Sequence, residues 1–409
     1  MKNSPIKKNK TSPLASKLNA LADSFPNAKH DFVETIDLII PRITGEFWSS
    51  KQRQANSLHE ISYRACFKGE LPNFFIQALT NEGDFVYDPF NGRGTTTIEA
   101  ALMNRKVIGN DINPLSALLS NPRLMIPDIK MLELRLQSIP IDYNLKADIN
   151  LSMFYEKKTE SEIVSLRKYF LDGNNSPLDN WIRMVATNRL TGHSKGFFSV
   201  YTMPPNFSVS PQRQIKINDK KNQNPTYRDV KQIILKKSKT LLKDIDTAKA
   251  KQLKEISDSA LFLTKDARDT HEISNNSVQL TVTSPPFLNI VQYSDDNWLR
   301  NWFNGIDSSS LEITMSKTVF DWGKVMLDVL HELYRITKPG GYVAFEVGEI
   351  QNGKTKLDEI IIPLGLKAGF ASAAILINEQ DFTKTANIWG ISNNKKGTNT
   401  NRIALFHKA

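Results

Sequence analysis

The sequence predicts an α/β fold: a seven-stranded, mostly parallel sheet with helices on both faces and an inserted mixed domain. Three observations predict it. Residues 84–111 read strand, glycine turn, helix, strand. The same alternation resumes at Ala260 and continues to the end of the chain. Between them, residues 122–258 are polar and irregular and break the pattern.

In chain order, residues 1–29 are rich in Lys, Asn, Ser and Pro and lack a signal peptide's apolar centre, so they read as a flexible basic arm. Residues 30–83 read as a helical lead-in, with near-helical spacing over Asp31–Ile40 and an apolar face of Phe74, Phe75, Ala78 and Leu79. Asp84–Phe90 is a buried-type strand, Thr95–Arg105 a helix and Val107–Asn110 a second strand, a βαβ unit with a right-handed crossover. Val230–Lys254, at the end of the insert, reads as one lysine-rich amphipathic helix. Strands follow at Ala260–Thr264 and Val278–Thr283. Phe320–Thr337 is helical and stops before Pro339-Gly340-Gly341. Tyr342–Val347 is a strand, Leu357–Gly369 a helix, and Ala371–Asn378 and Arg402–His407 complete the sheet. The expected organisation is a sheet domain from 30–121 and 259–409, split by the insert 122–258.

The 409 residues are 40% hydrophobic and 23% charged, which is ordinary globular composition, and the net charge of +10 is compatible with a polyanionic partner. A single cysteine, Cys66, excludes an internal disulfide and a cysteine-built metal site, and a reducing cytoplasm is the natural home. No apolar run reaches membrane-spanning length, so no membrane partner is expected. No metal site is expected.

Two turns carry the chemistry. Behind the apolar run Val278–Val282 comes Thr283-Ser284-Pro285-Pro286-Phe287. Each proline removes a backbone donor and fixes φ, so carbonyls are presented without competing N–H groups. With the Ser284 hydroxyl and the flat face of Phe287, the turn suits a planar base with an exocyclic amine. The bland alternative is a proline-ended strand with a core Phe. The second turn is Asp88-Pro89-Phe90-Asn91-Gly92-Arg93-Gly94-Thr95-Thr96. Gly92 and Gly94 admit a ligand close to the backbone. Asp111 closes the next strand, where an acid can grip both ribose hydroxyls. No Gly-Lys-Ser/Thr follows, which excludes a P-loop, and threonines stand where a dinucleotide site wants a third glycine. The ligand therefore reads as a nucleoside without a pyrophosphate; the alternative is a tight turn with a solvated acid.

Together these residues resemble the amino-group DNA methyltransferases that use S-adenosylmethionine. The turn from Asp88 to Thr96 is similar to their cofactor turn, so the resemblance implies cofactor contacts from Asp88, Phe90, Gly92, Gly94, Thr95 and Thr96, and from Asp111 and Ile112 at the ribose. Asp266, with Ala267, resembles the acid that reads the cofactor's adenine amine. Ser62–Phe67, with Tyr63, resembles the segment over the methionine end. Thr283–Phe287 resembles the catalytic turn, which assigns Ser284, Pro285, Pro286 and Phe287 to catalysis. Lys338–Tyr342 resembles the bend before the fifth strand of the class I methyltransferase (Rossmann-like) fold.

In that family Ser before the twin prolines goes with cytosine N4, and Asp or Asn with adenine N6, so Ser284 favours N4. Cytosine C5 chemistry needs a thiolate, and Cys66 neither follows a proline nor lies near a strand end. The resemblance implies double-stranded DNA as partner and a restriction–modification setting with a companion endonuclease. The insert, large and basic, is expected to read DNA although it precedes Asp266, unlike the family's common arrangement. Within it Arg189, His193, Arg213 and Lys216 are candidate DNA contacts; a solvated lysine face is the alternative. Adenine N6, an RNA or protein-glutamine amine, and a non-catalytic nucleic-acid-binding subunit remain open readings.

Overall fold

Side-chain alternation along the strands sorts the core into two layers, one on each face of a single large sheet. In this computed structural model the described residues are 25, 27–34, 39–48, 55–64, 66–203, 205–286, 293–307, 316, 318–350, 355–379 and 400–409. The sheet strands are β1 (Lys29–Glu34), β2 (Ile39–Gly45), β3 (Phe85–Asp88), β4 (Lys106–Asn110), β5 (Leu261–Leu263), β6 (Val278–Thr283), β7 (Thr337–Val347), β8 (Ser372–Glu379) and β9 (Thr400–His407). Their spatial order is β1-β2-β8-β9-β7-β6-β3-β4-β5. The pairs β5–β4, β4–β3, β3–β6, β6–β7 and β8–β2 are parallel; β9 runs antiparallel to both its neighbours, and β1 to β2.

The seven strands from β3 to β9 are the seven the sequence predicts. The other two correct the helical lead-in. Residues 31–34 and 39–40 are strand where a helix was expected; the β-branched Val33, Ile39 and Ile40 belong to β1 and β2, and Ile40 and Ile43 of β2 are buried. Phe25, inside the expected arm, packs its ring on Phe47 and Phe74 at 5.1 and 6.0 Å. β7 also begins five residues before Tyr342, with a register irregularity against Val278 and Leu280 that takes in the Pro-Gly-Gly bend.

The helices are α1 (Glu70–Leu79), α2 (Thr95–Leu102), α3 (Leu115–Ser120), α4 (Ile129–Ser138), α5 (Lys157–Leu171), α6 (Pro177–Arg189), α7 (Pro211–Lys221), α8 (Val230–Leu241), α9 (Thr247–Ser257), α10 (Tyr293–Asp296), α11 (Trp298–Asn304), α12 (Val319–Ile336) and α13 (Leu357–Lys367). Val86, Val107, Leu280, Val282, Ala344 and Leu405 face one core with α1, α2 and the insert helices. Tyr87, Ile108, Val343, Phe345, Ala404 and Phe406, one position along each strand, face the other core with α12 and α13.

Among its described residues the insert holds helices and one isolated bridge, Gly192 to Tyr201, so it is helical where mixed content was expected. Side-chain caps explain the starts: Asp128, Glu156, Ser176, Ser210, Asp229 and Asp246 each accept a backbone N–H of the following turn. The Asp246 cap also divides the expected helix Val230–Lys254 into α8 and α9. The insert shares its core with the sheet, through Trp181, Ile182, Val230, Ile234 and Leu253. No helix among the described residues is long and apolar enough to cross a membrane.

Candidate active site

β3 and β6 are parallel neighbours, with Val86 opposite Leu280 and Tyr87 opposite Thr281. Their carboxyl ends carry the glycine turn and the twin-proline turn. The chain leaves β3 toward β4 on one side and returns in β6 on the other, so both turns sit at the crevice where strand order reverses.

Asp88, 2% exposed, ends β3. It accepts hydrogen bonds from Thr283 Oγ1 (2.6 Å) and the Phe90 backbone N–H (3.1 Å). Burial pushes its carboxyl up to about 7, against the pull of the Thr283 hydroxyl. Thr96 Oγ1 donates to the Val282 carbonyl at 3.0 Å. The first helical turn after the glycines is thus pinned to the strand that delivers Ser284. Gly92 and Gly94 have φ of +50° and +78°, and a Cβ on Gly94 would lie 2.3 Å from Ser120 Oγ. Asn91 fixes the turn from below, donating to Ser116 Oγ and Ser120 Oγ and accepting from Thr97 Oγ1. Thr95 is buried and accepts from Arg93 Nε at 3.2 Å; Phe90 is half-buried at the rim.

Asp111 receives the Gly92 N–H on Oδ2 (2.8 Å) and the Asn113 N–H on Oδ1 (2.9 Å), beside half-buried Ile112. Burial pushes its carboxyl up to about 6, opposed by those two N–H groups. Asn110 spans the ends of β3, β4 and β5: its Nδ2 donates to the Pro89 and Lys265 carbonyls, and its Oδ1 accepts the Lys265 N–H. That brace ties the end of β4, which leads into Asp111, to Lys265, the residue before Asp266 and Ala267. Ala267 is buried. Asp266 is held by Arg268, which donates Nε to Oδ1 at 2.9 Å and NH2 to Oδ2 at 2.6 Å, and this guanidinium keeps the carboxyl below its usual range.

Tyr63 covers the glycine turn, its ring 3.8 Å from where a Gly92 Cβ would be; Cys66 Sγ lies at the same distance. Cys66, expected away from the strand ends, therefore sits beside this turn. Burial pushes its thiol up, which keeps it protonated and a poor nucleophile. The Arg300 guanidinium stacks 5.7 Å from the Tyr63 ring centroid and donates to the Ser62 carbonyl.

In the second turn Ser284 is half-buried, Pro285 buried and Pro286 half-buried; Phe287 lies outside the described residues. Thr283 pairs with Phe345 in the parallel register, which brings Ser284 alongside Glu346. Burial pushes the Glu346 carboxyl up to about 6, opposed by hydrogen bonds from Asn401 and Ser284. Trp322 Nε1, at the start of α12, donates to the Pro286 carbonyl at 3.1 Å. Glu346 and Trp322 were both missed in the sequence. A carboxylate inside the apolar run Tyr342–Val347 was the available signal, because a strand covered on both faces is otherwise continuously apolar. Nothing local marks Trp322, whose partner is 36 residues away.

The four candidate DNA contacts separate. Arg189 is 8% exposed, stacks 4.0 Å over Phe197, bonds the carbonyl and side chain of Asn188, and is pushed down to about 10 by burial. Burial against Phe197 and these two bonds to Asn188 weigh against its expected DNA contact. His193, Arg213 and Lys216 are exposed. Among the described residues no group of three or more His, Cys, Asp or Glu is placed to hold a metal ion.

A family model described as DNA methylase, covering the N6 and N4 types, matches residues 23–119. The orphan methyltransferase M.BamHII of Bacillus amyloliquefaciens is 42% identical over 73 residues, 17% of this chain and 28% of that protein. The type II methyltransferase M.MjaII of Methanocaldococcus jannaschii is 33% identical over 85 residues, 20% of this chain and 16% of that protein. The type II methyltransferase M.BsoBI of Geobacillus stearothermophilus is 24% identical over 348 residues, 75% of this chain and 65% of that protein. The chain thus spans less than two thirds of the length of each of these relatives. The family match contains β3, the glycine turn and Asp111, so the similarity to the N6 and N4 DNA methylases falls on the elements that build one wall of the crevice.

Proposed function

We propose that the protein is a site-specific DNA methyltransferase that moves a methyl group from S-adenosylmethionine to the N4 amine of a cytosine flipped out of a duplex. The observation that carries this reading is the direct bonding of the two turns, Thr283 to Asp88 and Thr96 to Val282. A nucleoside seated on one turn is then within reach of a base gripped by the other.

The residues fit the cofactor. Asp111 is anchored by two backbone N–H groups and keeps lone pairs for ribose hydroxyls. In this reading Asp266 and Ala267 would take the adenine end, and Tyr63, which lies over Gly92, would cover the methionine end. Bound there, S-adenosylmethionine supplies a methyl group already activated on a sulfonium.

The protein's own work is to hold the acceptor amine, whose lone pair is delocalised into the ring. Ser284 Oγ–H donates a hydrogen bond to the Glu346 carboxylate and offers a lone pair to an amine hydrogen. Once methylated, the cationic nitrogen would release that hydrogen as a proton to Ser284 Oγ as Ser284 passes its own to Glu346. Trp322 fixes the Pro286 carbonyl and with it the direction of the Pro285 carbonyl, which takes the second hydrogen. Gripped at both hydrogens, the nitrogen is drawn toward a tetrahedral shape with its lone pair aimed across the crevice. Extruding the base costs a few kcal/mol of stacking, and Phe287 offsets roughly 1–3 kcal/mol of that by stacking. The 122–258 insert is the recognition domain in this reading, supported by its contacts with α10 and α11 just past the catalytic turn.

Labelled methyl transfer to DNA followed by nucleoside mass spectrometry tests the reading. N4-methylcytosine is the expected product. N6-methyladenine would move the protein to the other branch of its family, and no transfer to DNA would sink the proposal. A companion endonuclease with the same recognition sequence is part of the proposed setting; among the similar proteins two are named type II methyltransferases and one an orphan methyltransferase.

A further inference from the structure

Some basic residues of the insert hold the fold together, while others, Lys236, Lys239 and Lys254 of α8 and α9 among them, are exposed. On α8 and α9 key ammonium groups staple the fold: Lys231 Nζ donates to the Ile139 carbonyl (2.7 Å), Lys237 Nζ to Glu60 (3.0 Å) and Lys249 Nζ to the Leu102 carbonyl (2.9 Å). On α7 the cations point outward. Arg213, Lys216 and Lys220 are exposed, and none has a carboxylate partner among the described residues. Their spacing, i, i+3 and i+7, sets them in one stripe along the helix. Asp219 is the one acid of α7.

The stripe is rigidly mounted. Gln214, fully buried, donates to the Tyr201 carbonyl (3.0 Å), and Asn218 donates to the Met153 carbonyl (2.8 Å). Gln223, just past the helix, also donates to the Tyr201 carbonyl (2.9 Å). These bonds join α7 to the loop 192–201, which closes on itself through Thr202 N–H to the Gly192 carbonyl (2.9 Å). Phe197 plugs that loop from within, leaving His193 and Lys195 exposed at its tip. Lys221 Nζ lies 4.2 Å over the partly exposed Tyr201 ring.

This unit stands next to the crevice. The lead-in to α7 is bonded to the elements that follow the twin-proline turn: Ser208 N–H to the Asp296 carbonyl (2.8 Å), and Trp298 Nε1 to the Val209 carbonyl (3.2 Å). Arg300, under Tyr63, donates to the Pro205 carbonyl (2.6 Å). Asp296 also pairs with Arg64, the residue after Tyr63. A helix whose exposed cations outnumber its single acid, mounted on the elements that follow the twin-proline turn, has a use that a dispersed charge run lacks.

We propose that the outer face of α7 and the tip of the 193–196 loop together seat the phosphate backbone of double-stranded DNA beside the crevice, and that α8 and α9 lie outside this interface. The inference rests on the proposed function and adds the docking surface to it. Each cation set against a phosphate releases condensed counterions, so each lost contact makes the slope of log affinity against log salt shallower by about 0.9.

The test compares the triple variant Arg213→Ala, Lys216→Ala, Lys220→Ala with a charge-matched control, Lys239→Ala, Lys251→Ala, Lys254→Ala, both in the full chain. Binding to a duplex is titrated across salt, and S-adenosylhomocysteine binding by calorimetry reports whether each variant is folded. The α7 variant is expected to lose about tenfold or more in duplex affinity, with a slope shallower by about 2.7, while the control keeps the wild-type slope and both bind the nucleoside normally. A wild-type slope in the α7 variant, with wild-type protein still methylating DNA, overturns the surface and leaves the proposed function standing. An equal loss in the control overturns the exclusion of α8 and α9. Wild-type protein that binds RNA more tightly than duplex DNA, through the same residues, overturns the choice of partner; absence of methyl transfer by the wild type overturns the function and this proposal together.

Discussion

Thr283 Oγ1 donates a 2.6 Å hydrogen bond to Asp88 Oδ1, joining the last residue of one strand to the last residue of its neighbour. Both residues are buried, at 0% and 2% exposure. Removing one partner of a buried bond leaves the other unsatisfied at a cost of about 1–3 kcal/mol. Thr283→Val should lower stability by that amount in urea melts. Turnover should fall further than cofactor affinity does, because the two turns lose their register.

Asp88 also sets a pH dependence. Its folded pKa of about 7 lies above the ordinary carboxylate value of 3.8, so the native state holds a proton that the unfolded chain releases first. Stability from this group is fully present below about pH 4 and is lost as pH rises toward 7. Asp88→Asn should flatten the fall in melting temperature between pH 4.5 and 7.5. An unchanged pH profile would contradict the burial argument.

At Asp111 the same physics appears as ligand affinity. Its carboxyl titrates at about 6, and only the ionised form presents acceptors alone to ribose hydroxyls. Cofactor affinity should therefore rise between pH 5 and 7. Asp111→Ala should weaken binding by roughly 1.5–3 kcal/mol, the range for hydrogen bonds to a charged group, and remove that rise. Calorimetry at the two pH values reads both effects.

In the proposed mechanism Glu346 acts on turnover through Ser284. Above about pH 6 it is ionised and accepts the Ser284 proton; below it, the carboxyl competes as a donor. The kcat profile should show an acidic limb near 6. Glu346→Gln should abolish that limb and lower kcat about 10²-fold or more, with little change in cofactor affinity. An acidic limb that survives the substitution would assign the titration to another group.

Trp322→Phe removes the donor that holds the Pro286 carbonyl. It should lower kcat by roughly tenfold, the effect of about 1.4 kcal/mol in positioning, while S-adenosylhomocysteine binding stays at the wild-type value. Equal losses in both would make Trp322 a general packing residue.

What could be read in the sequence follows from the range of the signal. Phe85–Asn110 was legible because strand, glycine turn and helix differ in period, and because Gly92 and Gly94 need backbone angles that few other residues adopt. Asp31–Ile40 was misread because a short apolar run with β-branched residues fits a helix or a strand until its sheet partner is known; β8 supplies that partner for β2. The break at Asp246 was hidden because a cap residue inside a lysine-rich run does not interrupt helical spacing. Arg189 looked like a free cation, but its stacking on Phe197 follows from a loop closure that spacing does not reveal. Glu346 and Trp322 reach the proline turn only through sheet register and helix packing, which are long-range facts.

The most direct test is a crystal structure of the protein with S-adenosylhomocysteine. The account predicts ribose hydroxyls on Asp111, the adenine beside Asp266 and Ala267, and the sulfur under Tyr63, facing Ser284 across the crevice. A nucleoside bound away from the glycine turn, or with its sulfur pointing out of reach of Ser284, would contradict it.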